Sequence, residues 1–426
     1  MRGLTKRFCF LTTFYPPFNF GGDGLAVQRM ARALAKRGHE VTVVHDADAF
    51  SVLSDEPAPE DETADPFGVQ VITLRTAMPL VSTVLTHQIG RPVVNGRKLR
   101  RILDEGRFDV VNFNNVSLIG GPGLLAYGND AVKVYLAHEH WLVCPTNVLW
   151  RHNRERCDGR ECLRCQVHYK RPPQLWRYTG LLPRQLSQVD VFIAMSEFSR
   201  QKHREFGFPH EMTVLPYFLP DADERSRVVL PRPHERPFFL FVGRLERIKG
   251  LGEILPLFAS YRDADLLVVG EGDHREELQR QAAGLPNVRF VGRLPGDALQ
   301  AYYQHAIALL VPSICFETFG ITVIEAFSHG TPIIARRLGP FPEILEQSGG
   351  GVLFDTTGEL LETMRGLQAL PERRHDLGRA AYRAFCERWC ESAVIPQYLE
   401  VVEEARERRT AEQVVGAGVT LQHAKP

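Results

Sequence analysis

The sequence predicts an α/β protein built from two series of alternating strands and helices. Short apolar runs of strand length recur along the chain, and stretches with helical spacing separate many of them. A Pro- and charge-rich stretch from Pro216 to Pro237 divides the two series and is the best domain boundary. The 426 residues, 44% hydrophobic and 24% charged, suit two or three globular domains.

Bulk composition argues against several classes of protein. Lys/Arg and Asp/Glu each number 51, so no global field favours nucleic acid or a membrane. No apolar run approaches the length that spans a bilayer. The segment Phe8–Phe14 is too short for a signal peptide and reads as a first strand. Eight cysteines in so long a chain do not indicate a secreted disulfide scaffold, and we predict a cytoplasmic protein.

Glycines mark the first strand-to-helix corner. Gly21, Gly22 and Gly24 lie between the strand at 8–14 and a helix predicted from Leu25 to Arg37. Such glycines let backbone approach a phosphate or a sugar, but they also make ordinary tight turns. The pattern is not GxGxxG, so both interpretations stay open.

A predicted strand from Ala131 to Ala137 ends in His138-Glu139-His140-Trp141. The C-terminal ends of strands are where open α/β sheets bind ligands. His138 there could donate to a sugar hydroxyl or a phosphate, or be a loop histidine without a role.

Four cysteines cluster after this strand, in a Cys-rich insertion spanning about residues 144–180. Their spacing permits a closed, structural zinc site, and three of them match an iron–sulfur pattern. Free or disulfide-linked thiols are the third alternative. The four are Cys144, Cys157, Cys162 and Cys165.

The same region is basic. Between Arg151 and Arg184 there are nine Lys/Arg and three acidic residues, with Trp150, Tyr169, Trp176 and Tyr178 interleaved. This segment is a candidate for contact with an anionic acceptor or a membrane surface, or it is a solvated loop.

The second series predicts a parallel sheet with right-handed crossovers. Its first corner runs from Gly243 to Gly250 and carries Arg244 and Lys249, the side chains that suit phosphate oxygens. A later corner places Glu317 in a loop and Glu325 on the helix that follows.

The sequence resembles the retaining glycosyltransferases of the GT-B fold. This large family has a Glu-x7-Glu stretch (glycosyltransferase family 4-like, glycosyl transferases group 1). The resemblance covers about residues 8–400 and is strongest in the second half. The motifs that carry it are Gly243-Arg244-Leu245 with Lys249-Gly250, Val269-Gly270-Glu271-Gly272, Phe290-Val291-Gly292-Arg293-Leu294, Glu317 to Glu325, and the Gly21-Gly22 loop with His138.

The resemblance implies two Rossmann-like domains facing across a cleft. The expected divisions are an N-terminal acceptor domain at 1–216, a linker at 217–237, a nucleotide-sugar domain at 238–393, a helix at 394–410 crossing back to the N-terminal domain, and a flexible tail at 411–426. Pro216-Tyr217-Phe218 stands where many members have Pro-Asn-Gly, which puts hinge geometry in doubt.

The resemblance also implies roles for individual residues. Arg244 and Lys249 would hold the donor diphosphate with help from the backbone at Gly22, and Leu294 would meet the base through its backbone. Glu325 would accept from the ribose hydroxyls. Glu317 and the backbone of Phe319, Gly320 and Ile321 would hold the sugar and phosphate, and His138 would touch the sugar. His140 is a weaker second candidate.

The expected reaction moves a hexose from a UDP- or GDP-linked donor to a hydroxyl of a glycan, a lipid-linked sugar or a small metabolite. We expect no catalytic metal, because Arg, Lys and helix N-termini can stabilise the departing diphosphate. Asp46-Ala47-Asp48 has the form of a metal–diphosphate site, but its position favours a solvated loop. We also expect no nucleic-acid partner, with membrane contact, if any, peripheral at the inner face.

Three rival interpretations are kept for comparison. A sugar phosphorylase or a nucleotide-sugar epimerase would use the same layout of domains. A four-cysteine, zinc-dependent nucleic-acid-binding protein is disfavoured by the zero net charge. A catalytically inactive nucleotide-sugar sensor is disfavoured by the intact Arg, Lys and Glu set.

Overall fold

The described part of the chain forms two parallel β-sheets, of seven and six strands, and a separate two-stranded hairpin. The computed structural model describes residues 5–54, 57, 59, 60, 65–221 and 228–422. Helices connect successive strands of both sheets. The predicted α/β class with two parallel-sheet domains is therefore confirmed.

The first sheet belongs to the N-terminal domain. Its strands are β1 (Arg7–Thr12), β2 (Glu40–Asp46), β3 (Gln70–Leu74), β4 (Val110–Phe113), β5 (Val132–Ala137), β8 (Val191–Ala194) and β9 (Thr213–Val214). They run in the order β3-β2-β1-β4-β5-β8-β9, and every neighbouring pair is parallel. Most of these strands are apolar runs with nearly every residue buried, as expected of a sheet covered on both faces.

Seven α-helices belong to the described part of this domain. They are α1 (Gly22–Lys36), α2 (Ala47–Leu53), α3 (Pro79–Ile89), α4 (Gly96–Gly106), α5 (Cys162–His168), α6 (Leu181–Leu186) and α7 (Glu197–Glu205). The hairpin strands β6 (Trp150–Arg151) and β7 (Glu155–Arg156) precede α5 within the Cys-rich insertion.

The second sheet belongs to the C-terminal domain. Its strands are β10 (Phe238–Val242), β11 (Asp265–Val269), β12 (Val288–Gly292), β13 (Leu309–Val311), β14 (Ile333–Arg336) and β15 (Gly351–Phe354). The order β12-β11-β10-β13-β14-β15, parallel throughout, places β10 and β13 side by side at the centre. The residues that follow these two strands are therefore brought together at one sheet edge.

Eight α-helices follow the first strand of the second sheet within residues 228–422. They are α8 (Leu251–Ile254), α9 (Arg275–Gln281), α10 (Gly296–His305), α11 (Ile321–Ser328), α12 (Phe341–Ser348), α13 (Thr357–Ala369), α14 (Pro371–Ala384) and α15 (Glu391–Gln422). A π-helical turn at Phe385–Trp389 joins α14 to α15.

Helix α15 lies against the N-terminal domain. The Tyr398 hydroxyl donates to Asn112 Oδ1 on β4 at 2.6 Å, and Glu391 pairs with Lys36 and Arg37 at the end of α1. The helix runs past residue 410, where the sequence predicted a tail to begin, and the segment from Ala411 to Gln422 contains no proline that would end it. Residues 222–227 of the predicted linker and 423–426 of the predicted tail lie outside the described residues.

The Asp-x-Asp segment is not the solvated loop that the sequence predicted. Asp46 caps α2, its side chain accepting from the Asp48 backbone N–H at 3.0 Å. The Asp48 carboxylate is buried and accepts from the hydroxyl and backbone N–H of Thr76, at 2.6 and 3.1 Å. Both carboxylates therefore stabilise the fold locally, as acidic side chains at helix N-termini commonly do.

No described helix combines the length and the apolar character that crossing a membrane requires.

Candidate functional site

Two strand-to-helix corners, one from each domain, meet across the domain interface. Gly22 begins α1 and Ile321 begins α11. A Cβ atom placed on Gly22 would lie 2.9 Å from Ile321 Cδ1, so this close approach favours glycine. Helix α1 begins three residues earlier than predicted, which puts Gly22 in its first turn. The helix N-termini, with their unpaired N–H groups, thus converge on one place.

The corner before α11 is held in an unusual backbone conformation. Gly320 has φ of 106°, and a Cβ there would lie 2.9 Å from Phe341 Cε1, so both the backbone and the space require glycine. The adjacent Phe319 is buried and packs edge-on against Tyr217 and Trp389. These contacts rigidify the N-terminal turn of α11.

Lys249 and Glu317 form an ion pair at the centre of the C-terminal wall. Lys249 Nζ lies 2.6 Å from Glu317 Oε1, which also accepts from the Ser313 hydroxyl at 2.8 Å. Burial alone would lower the pKa of Lys249, but the Glu317 carboxylate raises it above its ordinary value. Burial would raise the pKa of Glu317, and Lys249 brings it below the ordinary value. Both groups are therefore charged at neutral pH.

Arg244 and Glu325, two further residues that the sequence predicted to bind the donor, differ in their surroundings. Arg244 is 54% exposed and, among the described residues, forms an ion pair with Glu246 alone, at 2.8 Å, so it lies at the rim of the cleft. Glu325 accepts from the Tyr303 hydroxyl at 3.0 Å and pairs with Arg29 of the N-terminal domain at 3.3 Å. Arg29 was missed by sequence reasoning, although it lies two turns beyond Gly22 on the same face of α1.

Leu294 follows β12 and is partly buried against the core, in the loop that leads into α10.

His138 lies in a buried hydrogen-bonded network. Asn114 donates through Nδ2 to the carbonyls of Leu11 and Asn112, which directs Oδ1 to His138 Nε2 at 2.9 Å. Because a carbonyl oxygen only accepts, Nε2 carries the proton, and Nδ1 accepts from the Tyr217 hydroxyl at 2.8 Å. Burial lowers the pKa of His138 to about 4, so the ring is neutral at physiological pH.

Tyr217 itself was not predicted as a site residue. Its ring stacks on His138 with centroids 5.5 Å apart. The departure from Pro-Asn-Gly was the signal that could have pointed to it. With both ring nitrogens of His138 engaged, a sugar can reach them only by displacing Tyr217 or Asn114.

Hydrogen bonds tie the loop around Glu317 to the N-terminal wall. The Thr318 hydroxyl donates to the His138 carbonyl at 2.9 Å, and the Ser196 hydroxyl donates to the Thr318 carbonyl at 2.6 Å. His140 Nε2 lies 3.2 Å from the Phe316 carbonyl, and burial lowers the pKa of His140 to about 3. His140 is thus a neutral interdomain contact in this structure.

Glu139 is a second group that sequence reasoning passed over. Burial raises its pKa to about 8, and the nearby Asp23 carboxylate adds to the shift, whereas Arg171, Asn147 and Arg244 oppose it. The carboxyl is therefore largely protonated at neutral pH.

The four thiols of the Cys-rich insertion are free and share one neighbourhood. Burial raises the pKa of Cys157, Cys162 and Cys165, and the other thiols, Cys144 included, raise it further. The His152 backbone N–H donates to Cys165 Sγ at 3.3 Å. Within the described ranges, however, no three His, Cys, Asp or Glu side chains converge closely enough to hold a metal ion.

The chain is similar to curated proteins that act on sugars. Phosphatidyl-myo-inositol mannosyltransferase of Mycolicibacterium smegmatis is 24% identical over 95% of this chain and 94% of that protein. Sulfoquinovosyl transferase SQD2 of Arabidopsis thaliana is 33% identical, over 34% of this chain and 29% of that protein. D-inositol 3-phosphate glycosyltransferase of Corynebacterium kroppenstedtii is also 33% identical, over 36% and 39%. This chain thus spans roughly a third of the latter two proteins.

Solved structures share the fold over nearly the whole chain. Sucrose-phosphate synthase from Thermosynechococcus elongatus superposes with a TM-score of 0.70 at 19% identity, covering 95% of this chain and all of that one. Anabaena HepE in complex with UDP-glucose gives 0.64 at 16% identity, covering 94% and 100%. At these identities the likeness establishes the fold alone.

Two family models divide the chain at the same place as the two sheets. Residues 20–223 match Glycosyltransferase Family 4, and residues 222–384 match Glycosyl transferases group 1. Together with the shared two-domain fold, these consecutive matches show that the chain belongs to the GT-B glycosyltransferases.

Proposed function

We propose that this protein transfers a hexose or related sugar, with retention of anomeric configuration, from a UDP- or GDP-linked donor to a hydroxyl acceptor. The observation that carries the proposal is the meeting of Lys249, Glu317 and the N-terminus of α11 opposite the Gly22 corner. This arrangement provides one cation, one carboxylate and free N–H groups at a single strand-end cleft.

The diphosphate lies between Lys249, Arg244 and the first turn of α11. When the diphosphate binds, its oxygens replace the Glu317 carboxylate as the partner of the Lys249 ammonium group. Glu317, released from that pair, accepts from hydroxyls of the transferred sugar. Leu294 meets the base through its backbone, and the Gly22 corner allows the diphosphate to approach the backbone of α1.

Glu325 holds the ribose in the occupied site. Its two oxygens are bound by Tyr303 and Arg29 in this structure, so the ribose hydroxyls replace at least one of these partners. The base remains open between uracil and guanine. HepE, which was crystallised with UDP-glucose, makes UDP-sugars the first donors to test.

The transfer proceeds by front-side attack in this proposal. The bond from the anomeric carbon to the diphosphate oxygen breaks, and the acceptor oxygen bonds the same face of an oxocarbenium-like centre. The acceptor's proton moves to the departing phosphate oxygen. Lys249, Arg244 and the α11 N-terminus stabilise the diphosphate charge that develops. His138 is not the general base in this proposal, because its two ring nitrogens are hydrogen-bonded to Tyr217 and Asn114.

The experiment is a panel of UDP- and GDP-linked hexoses assayed with and without hydroxyl acceptors. We expect nucleoside diphosphate release that depends on acceptor, a retained anomeric configuration by proton NMR, and full activity in chelator. An inverted product would overturn retention, and loss of activity in chelator that Mg²⁺ restores would overturn metal-independent transfer. Consumption of free phosphate would favour a sugar phosphorylase.

We further propose that the four clustered thiols bind a structural zinc. The shared neighbourhood of the thiols and the N–H···S bond to Cys165 support this assignment, although the thiols must move closer to complete a tetrahedron. Metal analysis of purified protein should give about one zinc per chain. Iron in place of zinc would support an iron–sulfur cluster, and neither metal would leave the thiols free.

A further inference from the structure

Helix α3 buries its polar face and exposes its apolar face. Its buried residues are the polar Ser82, Thr83 and Thr86, whereas Leu80 is 61% exposed and Val84 is 43% exposed. A helix on a globular protein normally directs its apolar stripe to the core. The reversed arrangement leaves an apolar face on the outside, where such faces mark interaction sites.

Apolar exposure continues on both sides of this helix. Trp176 Nε1 donates to the His87 carbonyl at 2.9 Å, so the turn that carries Leu175 packs against the C-terminal end of α3. The large apolar residues exposed on α3 and its neighbours are Met78, Leu80, Val81, Val84, Ile89, Val93, Val94 and Leu175. We call this set, on α3 and the segments beside it, the α3 surface.

The same stretch of chain is cationic. From Thr76 to Leu103 there are five Lys/Arg residues and no Asp or Glu. All five are exposed, and none forms an ion pair with another residue of the described chain. They are Arg91, Arg97, Lys98, Arg100 and Arg101.

In the other basic region, at 151–184, some of the cationic side chains are already engaged by neighbouring protein groups. Arg151 pairs with Glu155, Asp158 and Glu161, and the half-buried Arg177 donates to the Trp141 carbonyl at 2.6 Å. Trp150 and Trp176, which the sequence presented as interleaved aromatics, are buried. Membrane contact through this segment stays a prediction, and the control variant described below tests it against the α3 surface.

We propose that the α3 surface, with the cations from Arg91 to Arg101, docks on an anionic lipid bilayer. Apolar side chains that enter the acyl boundary and long cationic side chains that reach lipid phosphates are the two requirements of interfacial binding. A second copy of this chain would fit poorly, because a symmetric contact brings the cations together. The inference goes beyond the proposed sugar transfer and needs no donor or acceptor for its test.

The test is flotation of the purified full-length protein with vesicles. One set contains phosphatidylcholine and phosphatidylglycerol, and the other contains phosphatidylcholine alone. We expect binding to the anionic set that weakens with salt. The double variant Leu80→Ser/Val84→Ser should bind at least about tenfold more weakly. Arg97→Gln/Lys98→Gln should lose about tenfold or more on anionic vesicles only.

The matched control replaces two exposed apolar residues in the other basic region, Leu163→Ser/Val167→Ser, and should bind like the wild type. Circular dichroism and thermal melts establish that every variant is folded. The proposal is overturned if the wild type does not float with anionic vesicles, or if the control variant loses binding while the α3 variants keep it. Light scattering without lipid that shows a dimer abolished by Leu80→Ser/Val84→Ser would assign the surface to self-association instead.

Discussion

The two walls of the cleft differ in how they hold charge. The C-terminal wall has the Lys249–Glu317 pair at its centre and Glu325 beside it. The buried centre of the N-terminal wall is a neutral network, in which His138 bonds Asn114 and Tyr217. The contrast fits the proposal that the C-terminal domain binds the charged groups of the donor, while the N-terminal domain provides a neutral frame.

Removing the central cation tests the charged wall most severely. Lys249→Ala should lower kcat/KM by about 10²–10³-fold, because it removes diphosphate stabilisation and leaves the partly buried Glu317 without its cationic partner. Steady-state transfer assays measure the loss. The matched control is Arg247→Ala, an exposed cation of the same corner, which should stay within about twofold. Full activity in Lys249→Ala would refute the phosphate assignment.

Deleting one hydroxyl tests the neutral wall. Tyr217→Phe leaves His138 Nδ1 buried without a donor, which should cost about 1–3 kcal/mol of unfolding free energy. Chemical denaturation measures this cost. Tyr178→Phe, at a residue that is 57% exposed, should be neutral within about 0.5 kcal/mol. Equal stability of both variants would mean that the His138–Tyr217 bond contributes nothing.

The pH dependence of stability tests whether Glu139 belongs to the neutral frame. Its pKa rises from 4.5 to about 8 on folding, so the folded state holds the proton more tightly and loses stability as pH rises through that range. Glu139→Gln should therefore be more stable than the wild type above pH 8, by up to ~5 kcal/mol, with the difference vanishing near pH 4. Thermal unfolding across this range decides, and a pH-independent difference would contradict the raised pKa.

The smallest expected effect is at the contact between the walls. Arg29 pairs with Glu325 in this structure, so Arg29→Ala should tighten nucleoside diphosphate binding by up to about fivefold, the contribution expected of a partly exposed ion pair. Isothermal titration calorimetry measures the change, with Arg32→Ala, which pairs with Asp65 instead, as control. Weaker binding in Arg29→Ala would mean that Arg29 itself contacts the nucleotide.

The sequence predicted the C-terminal wall better than the N-terminal wall, for a physical reason. Glu317 and Glu325 lie eight positions apart on one loop and helix, and Arg244 and Lys249 share another corner. Glycines and strand ends mark both corners locally. The N-terminal network instead joins Asn114, His138 and Tyr217, which lie far apart in the chain and carry no local signal of their contact.

By itself the sequence determined the α/β class and located the two corners that carry the Arg/Lys and Glu pairs, because periodicity, glycine and proline act over a few residues. Only the tertiary structure decided which groups face each other. In the folded chain Arg29 pairs with Glu325, and both ring nitrogens of His138 are hydrogen-bonded. Asp48 is buried, and the apolar face of α3 is exposed. Such outcomes depend on packing between distant segments, and no local pattern encodes them.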